Sequence, residues 1–256
     1  MKKVTFLGIL SAALALGALL GHPVTADAQP TPGNWNGVYA GINVGIARNY
    51  DNGLVTCVNP SGTVSGTGCV TPTFGHVTAQ GGLAGGQAGY NFQFNHFVVG
   101  PELDWDISTI GGRTAFTGLI PEVSTGGSVG TFSASESIGS LASGRLRLGW
   151  ADPKMLIYIT GGYARADGTA QSNYVYASDF QYPASRDFQT NGFTEGIGGE
   201  WKVQPKTSVK LELTEFHLSD ITTLGPSTGA FPTGYRAGKH FDFRGFTLRT
   251  GVNFQI

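Results

Sequence analysis

Hydrophobic and polar residues alternate along much of this chain, most regularly in its last stretch, residues 241–256. From Phe246 onward its apolar residues share one parity: Phe246, Leu248, Val252, Phe254 and Ile256. Successive side chains of a β-strand point to opposite faces, so the stretch predicts a strand with one apolar and one polar face. Because the polar face includes Arg249 and Asn253, the strand is not buried on both sides.

The same period of two recurs in seven earlier segments. We predict eight strands, at residues 35–47, 80–93, 97–107, 136–150, 155–168, 192–203, 208–220 and 241–256. Each has about the ten residues that a tilted strand needs to cross a membrane. The seventh strand is irregular after Leu213, because Glu215 and His217 fall on its apolar parity. A β-bulge at that point would restore the register.

The segments between the predicted strands are alternately short and long. Three are short turns, at residues 94–96, 151–154 and 204–207, and four are long polar loops, at residues 49–79, 108–135, 169–191 and 221–240. This order predicts an all-β fold, an eight-stranded antiparallel up-and-down transmembrane β-barrel with four long external loops. Aromatic residues near strand ends fit an interfacial girdle: Trp35, Phe97, Trp150, Trp201 and Phe254.

The N-terminal segment is typical of a secretory signal peptide. Lys2 and Lys3 precede an apolar run over residues 4–20, and small residues flank Asp27 immediately before Gln29. We therefore expect residues 1–28 to be cleaved, which leaves residues 29–256 as the barrel. A retained membrane anchor is the alternative, but glycines interrupt the run and no basic stop-transfer cluster follows it.

Composition, charge and the two cysteines limit the classes of function that this chain could have. Charged residues make up 13% of the chain, about half the usual share of about 25%, and the net charge is -1. A nucleic-acid-binding role is therefore not expected. Cys57 and Cys69 predict a disulfide in an oxidising compartment. A metal site is the alternative reading of the cysteines, but it would need four ligands and only His76 is near them.

Five segments resemble those of a known family. They are residues 35–41 (WNGVYAG), 86–91 (GQAGYN), 145–150 (RLRLGW), 157–163 (IYITGGY) and 249–254 (RTGVNF). They resemble recurring segments of porin-family surface antigens, small outer-membrane β-barrels of Gram-negative bacteria with an outer membrane protein A-like eight-stranded barrel. The resemblance implies a monomer in contact with outer-membrane lipid, inserted by the barrel assembly machinery. The family usually ends in Phe where this chain has Ile256, which predicts slower insertion.

Charged residues on the polar faces of the predicted strands are the clearest candidate site. They are Glu102, Asp104, Asp106, Arg145, Arg147, Glu200, Lys202, Lys210, Glu212 and Arg249. An eight-stranded barrel is only wide enough for side chains to fill its interior. Because an unpaired buried charge is costly, we predict an ion-pair network that plugs the lumen of a structural surface antigen. The alternative is an ion path, which would make the protein a small porin.

Two further functions deserve weighing against this one. His217 and Ser219 lie two apart, as in some outer-membrane lipid deacylases, and a His-activated Ser could attack an ester. The surrounding residues 214–220 resemble a segment of non-enzymatic family members and no Glu follows Ser219, so we predict no enzyme. Some members of the resembled family bind haem, and candidate axial ligands in the predicted external loops are His76, His240, Tyr174, Tyr176 and Tyr182.

We predict no cofactor for this chain. A small porin or a haem-binding or ligand-binding surface receptor is the alternative to a structural antigen. A soluble lipocalin-like barrel is a third possibility, and it would turn the apolar face of each strand inward.

Overall fold

The computed structural model describes residues 34–58, 61–62, 76–120, 128–176, 180–228, 234 and 236–256. Its strands are β1 (Gly37–Asp51), β2 (Val55–Val58), β3 (Val77–Phe94), β4 (Phe97–Ile120), β5 (Ser128–Ala151), β6 (Met155–Tyr176), β7 (Phe180–Gln181), β8 (Ala184–Gln204), β9 (Thr207–Pro226) and β10 (Arg236–Gln255). Within these ranges, no helix has the length and apolar character needed to cross a membrane. The predicted signal peptide lies outside the described residues.

The eight long strands form a closed ring. Their order is β1-β3-β4-β5-β6-β8-β9-β10, and β10 pairs back with β1 from Tyr39 opposite Gln255 to Asn49 opposite Gly245. All neighbouring strands are antiparallel. The short strand β2 pairs with the start of β10, and the short strand β7 pairs with the end of β6. The predicted eight-stranded up-and-down barrel is confirmed.

The strands are longer than predicted, whereas the short turns lie where they were expected. β4 and β5 continue to Ile120 and from Ser128, through most of the predicted loop at residues 108–135. The predicted loops at residues 169–191 and 221–240 are likewise largely strand where the structure describes them. These segments keep the period of two, and most of their polar side chains face outward, although a few, such as Ser172 and Lys239, are buried. Polarity therefore made them resemble loops.

The irregularity predicted in the seventh strand lies elsewhere. β9 pairs with β8 in continuous register from Val209 to Leu218, so no bulge follows Leu213. The register against β10 shifts later, between the pairs Phe243–Leu218 and Phe241–Ile221, which places an extra residue in β9. Glu215 and His217 consequently stay on the outer face of the barrel.

Apolar side chains cover the outside of one half of the barrel. Leu103 and Ile42 are each 67% exposed there. Exposed aromatic rings border this band at two levels: Phe97, Trp150, Trp201 and Phe254 near the short turns, and Tyr50, Tyr163 and Phe193 towards the other end. We call the band between the two levels the membrane band. A lipocalin-like barrel is therefore excluded, because the apolar face points outward.

The interior has two regions of opposite chemistry. At the level of the membrane band, which we call the lower half, the buried side chains are mainly charged or amide groups. Beyond Tyr163 and Phe193, in the upper half, an apolar core fills the barrel. Its members include Val77, Leu83, Ile110, Phe132, Ile138, Leu141, Tyr174, Tyr182, Phe188, Phe216, Leu218, Ile221, Phe241 and Phe243.

Candidate functional site: the charged interior of the lower half

Glu102 on β4 is the centre of the buried ionic cluster. Its carboxylate accepts hydrogen bonds from Arg145 Nη2 at 2.8 Å, Arg147 Nη1 at 3.1 Å and Lys210 Nζ at 3.1 Å. The Tyr39 hydroxyl donates a fourth, at 2.8 Å. Both Glu102 oxygens are thus satisfied by donors from four other positions. This arrangement allows a carboxylate to remain charged away from water.

Glu212 on β9 forms a second centre beside the first. Arg145 Nη1 donates to Glu212 at 2.8 Å, and Arg249 Nη2 donates at 3.2 Å. Arg249 Nη1 also reaches Asp104 at 2.6 Å and Asp106 at 2.9 Å. Arg145 and Arg249 therefore each bridge carboxylates from β4 and β9.

Arg147 completes the cluster on the side of β8. Its Nη2 donates to Glu200 at 2.5 Å, and Ser208 Oγ donates to the other Glu200 oxygen at 2.9 Å. The guanidinium also lies over the rings of Tyr158, at 4.0 Å, and Tyr39, at 5.3 Å. Cation–π contacts of this kind are favourable where the cation is desolvated.

Nine of the ten predicted residues therefore meet in one buried cluster, which we call the charged plug. Its members are Glu102, Asp104, Asp106, Arg145, Arg147, Glu200, Lys210, Glu212 and Arg249. β4 and β9 lie opposite each other in the ring, so the Lys210–Glu102 pair crosses the whole lumen. The plug joins five carboxylates to four cations and closes the barrel at this level.

Lys202 is the exception, and its predicted place in the network is wrong. Its ammonium donates to the Asn34 carbonyl at 2.5 Å and to Gln255 Oε1 at 3.3 Å, at the mouth beside the short turns. Lys202 Nζ also lies 4.8 Å from the ring centre of Trp35. Trp35 itself is buried in this mouth rather than in the outer girdle where we expected it. Lys202 is two residues closer to the short turn than Glu200, and its ammonium already lies outside the plug.

Sequence reasoning missed the two tyrosines that support the plug. Tyr158 donates to Glu212 at 2.9 Å, as Tyr39 does to Glu102. Gly89 and Gly198 provide the space for their rings, because a Cβ at either position would lie 2.3 Å from the facing tyrosine. The sequence places Tyr39 on the polar face of its strand. Its contact with Glu102 could not be predicted, because it depends on how the barrel closes.

Three amide side chains form a ladder in the lower interior. Asn43 Nδ2 donates to Gln87 Oε1 at 2.7 Å, and Gln87 Nε2 donates to Asn253 Oδ1 at 2.8 Å. The three residues belong to β1, β3 and β10. Polar groups therefore fill the lower interior next to the ion pairs as well.

The haem candidates do not form one external site. Tyr174 and Tyr182 are buried inside the upper half with their ring centres 6.3 Å apart, so their predicted place in exposed loops is wrong. His240 accepts or donates hydrogen bonds with Asp220 and Thr222, both at 3.0 Å. His76 pairs with Asn52 at 3.1 Å. Tyr176 lies at the end of β6, and its side chain is outside what the structure describes.

The candidate Ser–His pair and the cysteine pair have different outcomes. His217 faces outward, with Nε2 3.1 Å from Glu215 Oε1, and its ring stacks on Phe193. No hydrogen bond of the described chain joins it to Ser219. Cys57 belongs to β2, whereas Cys69 lies outside the described residues, so the disulfide stays a prediction.

Comparison with known proteins agrees with this architecture. The sequence model for the family described as outer membrane protein beta-barrel domain matches residues 11–254. The chain belongs to that family. A relative, the 31 kDa outer-membrane immunogenic protein of Brucella melitensis, is 28% identical over 220 residues, which are 83% of this chain and 85% of that protein.

Solved structures similar to this family member include two outer-membrane proteins. OprG of Pseudomonas aeruginosa has a TM-score of 0.46 at 12% identity, and the match covers 90% of this chain and 100% of that one. The outer membrane protease OmpT of Escherichia coli has a TM-score of 0.45 at 9% identity, with 91% and 100% coverage.

As a member of the outer membrane protein beta-barrel domain family, this protein is an integral β-barrel of the Gram-negative outer membrane. In such barrels the short turns face the periplasm, so we expect the upper half to project outside the cell. The upper half contains a second polar cluster. Lys239 donates to Asp51 and, at 3.2 Å, to the Gly53 carbonyl, while Asn49 Nδ2 donates to Glu136 at 2.7 Å.

Glu136 is the unusual group of this second cluster. Burial among apolar neighbours raises its pKa to about 8, although the hydrogen bond from Asn49 opposes the shift. The like charge of the Asp51 carboxylate raises the pKa of Glu136 further, whereas the Lys239 ammonium lowers it. Burial also lowers the pKa of Lys239. Glu136 is therefore neutral at pH 7. Asp51 then remains as the carboxylate that pairs with Lys239.

Proposed function

We propose that this protein is a non-enzymatic and non-conducting structural barrel that presents its upper half as a surface antigen. Its Brucella relative is named as an immunogenic outer-membrane protein, which supports the antigenic part of the proposal. The strands that rise beyond the membrane band provide a rigid external surface of hydroxyl, amide and charged side chains. A surface of this kind is available to antibodies.

The Lys210–Glu102 pair is the observation that carries the non-conducting part. It joins opposite sides of the ring, and Arg145 and Arg147 beside it each pair with two or more carboxylates. The apolar core of the upper half lies above this layer, in the path of any ion. Conduction would require several buried ion pairs to separate at once, which is costly in a low-dielectric interior.

Planar-bilayer recording tests this part. We expect the refolded wild-type protein to give no steady conductance, and Phe243→Ala to behave in the same way because the plug remains. Replacing Arg145 and Arg147 by Ala together with Phe243→Ala weakens both barriers and should therefore raise the frequency of channel openings. Steady wild-type conductance would contradict the proposal.

Labelling of intact cells tests the exposure of the upper half. Gln171 faces outward on β6 beyond the membrane band, and Lys206 lies in a short turn. We expect a membrane-impermeant maleimide to label Gln171→Cys but not Lys206→Cys, with the wild-type chain as the control for its own cysteines. Labelling of Lys206→Cys alone would reverse the assigned orientation.

We also propose that the barrel is a monomer held by outer-membrane lipid and inserted by the barrel assembly machinery, without nucleic acid. The continuous outward apolar band supports contact with lipid around the whole ring. Light scattering in detergent should give the mass of one chain plus its micelle. A stable dimer would contradict the monomeric state.

A further inference from the structure

Three possible metal ligands lie together on the outer face of the barrel, outside the charged plug. They are Glu195 on β8 and Glu215 and His217 on β9, and one ligand atom from each lies within 4.8 Å of the other two. We propose that these three side chains bind one divalent transition-metal ion, with Zn²⁺ as the best fit. Two carboxylates and one imidazole are ligands that Zn²⁺ commonly accepts.

The strand pairing places these groups on one side of the sheet. Glu195 is directly opposite Glu215 in the β8–β9 register, and His217 follows Glu215 by two residues. Residues two apart on a strand share a face, so all three side chains project outward. The His217 ring stacks on Phe193 with centres 4.8 Å apart, and this contact holds its Nε2 beside Glu215.

The local charge balance calls for a cation. Like charges placed directly opposite each other on neighbouring strands are destabilising. Within the described chain, no lysine or arginine forms an ion pair with Glu195 or Glu215. Arg244 is the cation opposite His217 on β10, but its Nε lies 3.3 Å from Asp242. A divalent ion would balance the charge of both carboxylates and take the His217 imidazole as its third ligand.

The location makes neutrality more valuable. The cluster lies beside Phe193, at the upper edge of the membrane band, where the side chains of Glu215 and His217 are 37% and 26% exposed. A metal complex with no net charge costs less free energy at the edge of a hydrocarbon layer than two unpaired carboxylates. Tetrahedral Zn²⁺ ligands lie roughly 3.4 Å apart, since Zn–O and Zn–N distances are about 2.0–2.2 Å. Small side-chain rotations would therefore complete the site.

Metal titration of the whole refolded chain, without a histidine tag and in a neutral detergent, tests the proposal. After treatment with a chelator, Co²⁺ binding is followed by visible absorption and Zn²⁺ by competition and calorimetry. We expect one ion per chain. Glu195→Gln, Glu215→Gln and His217→Gln should each weaken binding by at least the roughly 10- to 100-fold that second-shell changes cost.

The chain offers a matched control for this experiment. His240 and Asp220 form another exposed histidine–carboxylate pair at 3.0 Å, but among the residues that the structure describes no third ligand joins them. His240→Gln should bind Zn²⁺ as the wild-type chain does. Absence of wild-type binding, or wild-type affinity in all three ligand variants, would overturn the proposal.

A measurement on the wild-type chain avoids any effect of substitution on folding. Diethyl pyrocarbonate modifies accessible imidazoles, and mass spectrometry locates the modified histidines. We expect Zn²⁺ to slow modification of His217 at least tenfold and to leave His240 unchanged. Equal rates with and without Zn²⁺ at His217 would reject the site.

Discussion

The two halves of this barrel use the same strands in opposite ways. In the lower half, charged and amide side chains face inward and apolar side chains face outward to lipid. In the upper half, aromatic and aliphatic side chains fill the interior, while serine, threonine and amide groups face water. On β6, even-numbered residues point inward along the whole strand, from Leu156 to Tyr174. The facing of the side chains is constant, and only the solvent on each side changes.

This difference teaches what holds each half together. Lipid outside the lower half contributes no hydrophobic drive for closing the interior, so ion pairs and hydrogen bonds fill it. Water surrounds the upper half, so burial of apolar surface stabilises it as in a soluble protein. The two halves should therefore respond differently to the loss of a buried charge and to the loss of a buried ring.

The largest effect is expected from Glu102→Gln in the lower half. The amide leaves Arg145, Arg147 and Lys210 without their shared negative partner, and breaking a buried ion pair costs about 3–5 kcal/mol. Equilibrium unfolding in detergent, followed by heat-modifiable gel migration, measures the loss. Asp187→Asn, at an exposed carboxylate on the upper half, should change stability by less than about 0.5 kcal/mol. A wild-type unfolding curve for Glu102→Gln would show that the plug contributes no stability.

Phe241→Ala tests the upper half in the same way. The ring is fully buried in the apolar core, and its removal should cost about 3 kcal/mol. Because the upper half can open locally, protease cleavage there should increase while the heat-modifiable band of the lower half persists. Leu224→Ala, at an exposed position of the same region, is the control. Increased cleavage together with loss of the heat-modifiable band would show that the two halves unfold as one unit.

Glu136→Gln should show a smaller effect that depends on pH. The folded pKa of Glu136, about 8, lies above its unfolded value of about 4.3, so the folded state binds the proton more tightly. The wild-type chain therefore loses stability as the pH rises from about 4.5 to about 8. Glutamine does not titrate, so the stability of the variant relative to the wild type should rise between pH 5 and pH 9, with about 4 kcal/mol as the upper limit set by the two pKa values. The same difference at both pH values would contradict the neutral Glu136.

The lower half was predictable from sequence because polarity and facing coincide there. Glu102, Arg145 and Arg249 each stand on the polar parity of a clearly alternating strand, and all three are buried in the lumen. Their individual partners were not predictable. Lys210 meets Glu102 only because β4 and β9 lie opposite each other in the closed ring, which the order of residues along one strand does not specify.

The upper half was misread because polarity inverts while facing does not. Glu215 and His217 looked displaced onto the wrong face, yet they only mark the level at which β9 leaves the membrane band. Tyr174 looked like a residue of an exposed loop, since serine and glutamine surround it in sequence. Gln171 faces water on the outside, whereas Ser172 and Tyr174 face the interior. A change of solvent along one strand is invisible to a pattern that assumes a single environment.

The smallest equilibrium effect is expected at the last residue, where the barrel closes. Ile256 is 79% exposed, and its amide donates to the Val38 carbonyl at 3.0 Å, a bond that any residue except proline can make. Ile256→Phe should therefore leave the unfolding curve within about 0.5 kcal/mol of the wild type.

The rate of insertion is where Ile256→Phe should act. Appearance of the heat-modifiable form in liposomes containing the assembly machinery should be faster for the variant, because the resembled family usually presents Phe at this position. Insertion into liposomes without the machinery is the control, and there the two chains should insert at the same rate. A faster rate in both preparations would place the effect in the strand's own affinity for lipid and not in recognition, since the exposed final side chain contacts lipid in either case.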